Sequence, residues 1–429
     1  MAKNCGGWKG VKIMIKRDSY LKRLTLAKWN GLIKIITGVR RCGKSFLLNE
    51  IFYEHLINEG VNENNIIKIA LDDESYSEYL DSKKLSNYLK EKTNNQDEKY
   101  YVLIDEIQKC IGFEAVLNGL LYQQNVDVYV TGSNSKFLSK DIITEFRGRG
   151  YEIRVYPLTF SEIEYLYDNK EQALNDYLIY GGMPLIFNFK EEQGKREYLT
   201  QLFNNVYYND IKERYKIEYI EELDNIVKVL SSSVGSLSNA KKITDTLVSN
   251  KGKGINYRTV SNYMEYIIDA FLFERVERYD IKGRKYLAHN YKYYALDLGL
   301  RNAKLNFRQI EENHLMENAI YLELVKRGLN VDVGIVEIRK NVNKKDIRKQ
   351  LEVDFIVNKS DKRYYIQSAY VIPNEDKLNQ ELASFRNIND TFKKILVRRD
   401  PYLNRYYDEE GILHMSLMEF LTNENSLDL

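Results

Sequence analysis

The chain has 429 residues, with 64 Lys and Arg against 62 Asp and Glu, and its formal net charge is +2. This length exceeds the size at which one hydrophobic core keeps growing, so we expect two to four domains. A content of 44% apolar and 29% charged residues excludes a largely disordered chain, and the balanced charge neither requires nor excludes a nucleic-acid partner.

The first residues carry no periodic pattern, and we expect 1–30 to be an N-terminal extension and a lead-in helix. No stretch approaches 18 uncharged apolar residues and no apolar signal-peptide core is present, which predicts a cytoplasmic protein without a membrane partner. The cysteines Cys5, Cys42 and Cys110 form no C-x-x-C pair, so neither a disulfide nor a zinc site is predicted.

Residues 38–45 fit the pattern G-x-x-x-x-G-K-[ST], directly after the apolar run 32–37 and before a helical pattern. In such a loop backbone N–H groups surround phosphates, Lys44 reaches the β- and γ-oxygens, and Ser45 ligates Mg²⁺. The Cys42 thiol is either an oxidation switch or a tolerated variable position. The sequence predicts a nucleoside triphosphate bound by Gly38, Arg40, Arg41, Cys42, Gly43, Lys44, Ser45 and Phe46.

A second apolar strand, 100–104, ends in Asp105 and Glu106. We expect Asp105 to hold Mg²⁺ through water and Glu106 to polarise the water that attacks the γ-phosphate. Glu106 therefore favours hydrolysis over binding alone, and the alternative is an acid that only begins the next turn.

Small polar residues follow the next strand, 126–130, and we predict Asn134 as the sensor of the γ-phosphate. Arg147 and Arg149 precede the strand 151–156, where either guanidinium could stabilise transition-state charge; a solvated turn is the alternative. Strands and helices alternate over 31–156, which predicts an α/β unit, an ATPase core with a parallel sheet. Residues 157–215 are predicted to form a helical lid, with a hinge or tight turn at 181–184.

Residues 216–303 read as three helices and a hairpin, which predicts a winged helix-turn-helix. Its stretch 251–294 holds nine Lys and Arg against five Asp and Glu. Candidate DNA contacts are Arg258 on the recognition helix and Lys282, Arg284 and Lys285 on the wing. Winged helices also dock proteins, so protein binding is the alternative.

Residues 304–429 have the element order of a restriction-endonuclease-like α/β domain. Such domains hold Mg²⁺ between acids and use a nearby lysine to position water. Here Glu317 and Asp354 are candidate ligands, but Gln367 stands at the second acid position and Ala369 at the lysine position. The sequence therefore predicts a doubtful second metal site of Glu317, Asp354 and Gln367. We expect disorder in the tail 422–429.

Over residues 14–420 the chain resembles a bacterial and archaeal family of AAA-type P-loop ATPases that carry a C-terminal domain of unknown function with a restriction-endonuclease-like core. The resemblance implies ATP as the nucleotide, a glutamine-bearing third strand as typical of the group, and Arg149 as the functional arginine. Whether the protein forms a homo-oligomer is left open by the sequence. The motifs that carry it lie at 38–45, 103–108, 131–134, 148–149, 156–162, 181–184, 317–318, 352–354 and 365–367.

We therefore expect a Mg²⁺-dependent ATPase that couples its nucleotide state to a DNA-related or regulatory task. The alternatives are an ATP-regulated nuclease with an atypical C-terminal site and an ATP-driven protein-binding switch that does not contact nucleic acid.

Overall fold

The computed structural model describes residues 15–132, 148–251, 255–342 and 345–429. The first 14 residues of the predicted N-terminal extension and the candidates Asn134 and Arg147 lie outside these ranges. In the part of the chain that is described, no helix is long and apolar enough to cross a membrane.

A parallel five-stranded sheet forms the first unit, with strand order β2-β3-β4-β1-β5. Every residue of β1 and β3 is buried, as in parallel strands that helices cover on both faces. The predicted parallel sheet is confirmed. Its strands are β1 (Ile33–Gly38), β2 (Ile66–Ala70), β3 (Tyr100–Asp105), β4 (Val126–Thr131) and β5 (Gly150–Val155).

Helices connect these strands. Helix α2 is continuous over residues 44–58 and contains a π-helical stretch, Leu47–Phe52. Apolar residues from both faces of the sheet form two buried clusters, one of which continues into the rest of the molecule. The other helices of this unit are α1 (Asp18–Leu26), α3 (Ser82–Lys92) and α4 (Phe113–Leu121).

The predicted lid consists of α5 (Phe160–Ile163), α6 (Lys170–Tyr180) and a continuous helix α7 over residues 192–215. The glycine pair between α6 and α7 is a point of close packing. A Cβ on Gly182 would lie 1.7 Å from the carbonyl oxygen of Leu158. The Gly182 N–H donates to Asp297 Oδ2 over 2.8 Å. These contacts fit the predicted tight turn better than a hinge.

Three helices and a hairpin follow in the predicted order, and hairpin strand β7 pairs with β8 in antiparallel register. Strand β7 also pairs in parallel with β9. Because of this pairing, 216–303 and 304–429 share one nine-stranded sheet, ordered β13-β14-β12-β11-β10-β9-β7-β8-β6. The elements are α8 (Ile220–Ser232), β6 (Leu237–Ser238), α9 (Ala240–Lys251), α10 (Tyr257–Asp269), β7 (Phe273–Asp280) and β8 (Lys285–Ala295).

The remaining elements complete this sheet. They are α11 (Leu298–Lys304), α12 (Glu312–Lys326), β9 (Asn330–Val342), β10 (Lys345–Lys359), β11 (Lys362–Ala369), α13 (Glu375–Arg386), β12 (Lys393–Arg398), β13 (Tyr406–Tyr407), β14 (Leu413–Ser416) and α14 (Leu417–Thr422).

The expectation of a disordered tail was wrong. Ser426 and Leu427 are buried, and the Asp428 carboxylate pairs with Lys359 and Lys362 of the hairpin between β10 and β11. Tail residues can therefore be ordered by a few tertiary contacts that their own polar sequence does not indicate.

Candidate active site

The P-loop joins β1 to α2 at the carboxyl edge of the five-stranded sheet. Gly38 has φ 135° and Gly43 has φ 98°, conformations that favour glycine. A Cβ on Gly38 would lie 2.0 Å from the carbonyl oxygen of Val155, so this position cannot carry a side chain without moving β5. The two glycines thus allow the chain to turn sharply into the first turn of α2.

Lys44 is a buried cation. Its side chain is 4% exposed, and Nζ donates to the carbonyl oxygens of Gly38 at 3.1 Å and Val39 at 3.0 Å. The described part of the chain contains no carboxylate in an ion pair with it. A buried ammonium group that only neutral carbonyls contact is available for an anion. It lies in the first turn of α2, where the helix dipole also favours negative charge.

Asp105 is the last residue of β3 and lies beside the P-loop. Its carboxylate accepts hydrogen bonds from the hydroxyls of Thr131 and Ser45. Burial raises the pKa of Asp105, while these two hydrogen bonds act in the opposite direction. The structure therefore brings Lys44, Ser45 and Asp105 together, as the motifs predicted. Thr131, at the end of β4, contacts Asp105. The sequence prediction chose Asn134 from the same run of small polar residues and did not identify Thr131.

Glu106 is held by contacts that orient its carboxylate. The residue has φ 52°, which is a strained backbone for a non-glycine residue. Its N–H donates to Thr131 Oγ1 over 3.0 Å, and its carboxylate accepts a hydrogen bond from the Gln108 side chain. Gln108 was not predicted as a site residue, although the short distance in sequence from Glu106 is a signal that could have indicated it.

The outer residues of the loop contact the lid. Arg40 forms an ion pair with Asp210 of α7, and Arg41 lies close to the Tyr198 hydroxyl of the same helix. A Cβ on Gly43 would lie 3.8 Å from Pro184 of the 181–184 turn. Helix α7 and this turn therefore lie against the phosphate loop.

Cys42 and Phe46 occupy less exposed positions of the same segment. Cys42 is fully buried, its Sγ lies 3.4 Å from the carbonyl oxygen of Val155, and burial raises the pKa of its thiol. Because the thiolate is the reactive form, this environment favours a packing role over an oxidation switch. Phe46 is half-buried against the main apolar cluster.

Arg149 lies at the opposite edge of the sheet. It precedes Gly150, which is paired with Ile33 at the start of β1, and its carbonyl oxygen accepts a hydrogen bond from the Ile33 N–H. Lys44 follows the other end of β1. Six strand residues separate the two edges, a distance of about 20 Å. The exposed Arg149 side chain therefore does not lie with Lys44 and Asp105 of its own chain.

The three candidate ligands of the second metal site are near one another, but a lysine lies among the carboxylates. Lys292 of β8 donates to Glu317 Oε1 at 2.8 Å and forms an ion pair with Glu352 Oε1 at 2.7 Å, and its Nζ lies 3.6 Å from Asp354 Oδ1. The Gln367 carbonyl oxygen accepts from the Asp354 backbone N–H over 3.4 Å. Sequence reasoning missed Lys292 and Glu352.

No group of three or more His, Cys, Asp or Glu side chains within the described ranges is arranged to hold a metal ion. The predicted site of Glu317, Asp354 and Gln367 is thus an ion-pair cluster around an ammonium group. The physical reason is local: the lysine nitrogen has taken the central position between the carboxylates.

The four candidate DNA contacts, Arg258, Lys282, Arg284 and Lys285, are exposed. Lys282 Nζ also donates to the carbonyl oxygen of Glu337 over 3.3 Å, which ties the wing tip to β9.

The exposed face of helix α10 carries acidic side chains as well. Both Glu265 and Asp269 are exposed, and Glu265 forms an ion pair with Arg275. The wing tip is therefore a more basic surface than the exposed face of α10.

Comparison with known proteins assigns the chain to a family. Residues 30–164 match the profile of an AAA domain. An uncharacterized protein of Haemophilus influenzae is 33% identical over 407 residues, which cover 94% of this chain and 96% of the relative. The chain belongs to the family of that protein. A second relative, an uncharacterized protein of Methanocaldococcus jannaschii, is 29% identical over 389 residues, 87% of this chain and 81% of the relative.

Residues 171–311 match a domain of unknown function, DUF8612. The match covers most of the predicted lid and the predicted winged helix, whereas the resemblance had implied such a domain at the C-terminus. Among solved structures, a Walker-type ATPase of Pyrococcus abyssi aligns with 68% of this chain and 96% of its own at 15% identity, with a TM-score of 0.47. That likeness says nothing about the task of this family.

Proposed function

We propose that the protein is a Mg²⁺-dependent ATPase whose reaction takes place at the carboxyl edge of the five-stranded sheet. The observation that carries this proposal is Lys44, a buried ammonium group that contacts two carbonyl oxygens and, among the residues that the structure describes, no carboxylate. A triphosphate would supply the missing negative charge at the N-terminus of α2.

The neighbouring residues fit a metal-bound triphosphate. Ser45 and Asp105 lie within hydrogen-bonding distance of each other, and both offer oxygen atoms, the ligand type that Mg²⁺ prefers. When bound, Mg²⁺ would neutralise charge that develops on the phosphate oxygens. Thr131 would hold the Asp105 carboxylate in position through its hydroxyl hydrogen bond.

Glu106 is the proposed general base for the attacking water. Its carboxylate is already oriented by the side chain of Gln108, and its backbone is fixed by Thr131. The role of Gln108 would be to position Glu106 instead of contacting the nucleotide. Asn134 stays our proposal for the sensor of the γ-phosphate.

Arg149 is proposed to act on a neighbouring copy. Since β1 separates it from Lys44 by about 20 Å, it could stabilise transition-state charge only at the nucleotide of another chain. This proposal requires a homo-oligomer in which the amino edge of one sheet faces the carboxyl edge of the next. Hydrolysis per chain should then rise with protein concentration in wild type and stay flat in Arg149→Ala, while Arg40→Ala should keep the concentration dependence.

The task coupled to hydrolysis is proposed to involve DNA at the wing tip, where Lys282, Arg284 and Lys285 are exposed together. A nuclease is less well supported, because Lys292 lies where the metal ion would be needed. A protein-binding switch is the remaining candidate, and the acidic exposed face of α10 favours it over DNA contact by that helix.

The test is steady-state ATP hydrolysis, measured with and without duplex and single-stranded DNA over a salt series. It examines both the ATPase proposal and the DNA proposal. We expect turnover that Lys44→Ala abolishes and a DNA stimulation that declines with salt. Turnover that depends on Lys44 but ignores every DNA would favour the protein-binding switch. Turnover that persists in Lys44→Ala would contradict the ATPase proposal.

A further inference from the structure

The carboxylate cluster of the C-terminal unit, defined by Glu317, Glu352 and Asp354, contains its own cation. The three acids come from α12 and β10, while Lys292 comes from β8 of the hairpin. The lysine side chain is 2% exposed, and those of Glu317 and Asp354 are 13% and 9% exposed. A buried lysine with this many acidic neighbours is the central charge of the cluster.

Two further hydrogen bonds hold the carboxylates that Lys292 contacts. Tyr294, on the same strand, donates to Glu317 Oε1 over 2.6 Å, so that oxygen accepts from both Tyr294 and Lys292. The Ser368 N–H donates to Asp354 Oδ2 over 2.8 Å, which turns Oδ1 of the same carboxylate towards Lys292. The carboxylates are therefore fixed in an arrangement that surrounds the ammonium group.

The distances are those of an ammonium group. Lys292 Nζ lies 2.8 Å from Glu317 and 2.7 Å from Glu352, whereas oxygen ligands of Mg²⁺ lie about 2.0–2.1 Å from the metal. A divalent ion at this point would meet the positive charge of Lys292.

We propose that Lys292 is the resident cation of this site, that it takes the place of a divalent metal ion among Glu317, Glu352 and Asp354, and that the wild-type site is closed to metal. The same lysine fastens strand β8 to the C-terminal core. The acids that the sequence marks as metal ligands are then a latent site, which removal of the ammonium group would open.

The experiment is a Mn²⁺ titration followed by electron paramagnetic resonance, on full-length, nucleotide-free protein that carries Asp105→Asn to remove the P-loop ligand. In this background we expect no Mn²⁺ binding that depends on Asp354. We expect Lys292→Ala to gain a saturable Mn²⁺ site, and Asp354→Asn to remove it again. Mn²⁺ binding in the background protein that Asp354→Asn abolishes would overturn the proposal.

Thermal unfolding supplies the matched control. Lys34 is also fully buried, but it pairs with the single carboxylate of Asp127. We expect Mn²⁺ to raise the unfolding midpoint of Lys292→Ala and to leave that of Lys34→Ala unchanged. A folded Lys292→Ala protein without a Mn²⁺ effect would show that the lysine does not stand in for a metal ion. If Lys292→Ala does not fold, the titration of the background protein still decides.

Discussion

The P-loop and the carboxylate cluster each bury one lysine, and the partners of the two lysines are opposite. Lys44 is 4% exposed and contacts two carbonyl oxygens, whereas Lys292 is 2% exposed and is surrounded by three carboxylates. Over the described ranges, the first cation has no anionic partner and the second has three. This difference separates a site that is ready for a ligand from one that is filled by the protein itself.

The comparison predicts that the two lysines have separable effects. Lys44→Ala should lower ATP turnover by at least about 10³-fold, because phosphate positioning and charge stabilisation are lost together. Its unfolding midpoint without nucleotide should stay near that of wild type, since the described part of the chain holds no ion pair with Lys44. Parallel hydrolysis assays and thermal melts check this, and a large loss of stability would mean that Lys44 is structural.

Lys292→Ala should show the reverse pattern. Removal of the ammonium group leaves the carboxylates of Glu317 and Asp354 buried without compensation, which costs about 3–5 kcal/mol of unfolding free energy. Urea denaturation in the absence of divalent metal measures it. The folded fraction should keep its ATP turnover, so a specific loss of kcat at full stability would tie this lysine to hydrolysis and contradict the comparison.

Glu106→Gln should sharpen the assignment of the first site to hydrolysis. The amide oxygen can still accept the hydrogen bond from Gln108, so folding and ATP affinity should be retained, while kcat falls by about 10²-fold without a general base. Nucleotide-binding titrations and single-turnover hydrolysis separate the two effects. Unchanged turnover would remove Glu106 from the mechanism.

The smallest effect is expected at the wing. The pair Lys282→Ala and Arg284→Ala should leave basal ATP turnover unchanged and reduce the salt dependence of any DNA affinity by about two phosphate contacts. Lys241→Ala with Lys242→Ala, on the exposed face of α9, is the control of equal charge. Equal losses in both pairs would indicate general charge attraction and not a wing contact.

The first site was predictable because its residues lie in short motifs at the carboxyl ends of strands in one parallel sheet. Lys44, Ser45 and Asp105 follow from local patterns, and the register of a parallel sheet then brings them together. Arg149 also follows a pattern, but only strand register shows that it lies at the other edge.

The second site was not predictable in its essential residue. Lys292 is an ordinary lysine in a strand, and its neighbours Glu317 and Asp354 lie in other elements far along the chain. The pairing of β7 with β9 and the burial of Leu427 are missed for the same reason, since tertiary contacts between distant segments leave no local periodicity.

The shared nine-stranded sheet has a practical consequence for anyone who divides this protein. A cut near residue 303, where composition and element order indicate a boundary, would separate β7 from β9. It would leave an unpaired strand edge on the fragment, which promotes association between copies. It would also place Lys292 on a different fragment from Glu317, Glu352 and Asp354. If fragments from such a cut are insoluble, the position of the cut is the cause. Their insolubility then says nothing about the stability of the intact protein.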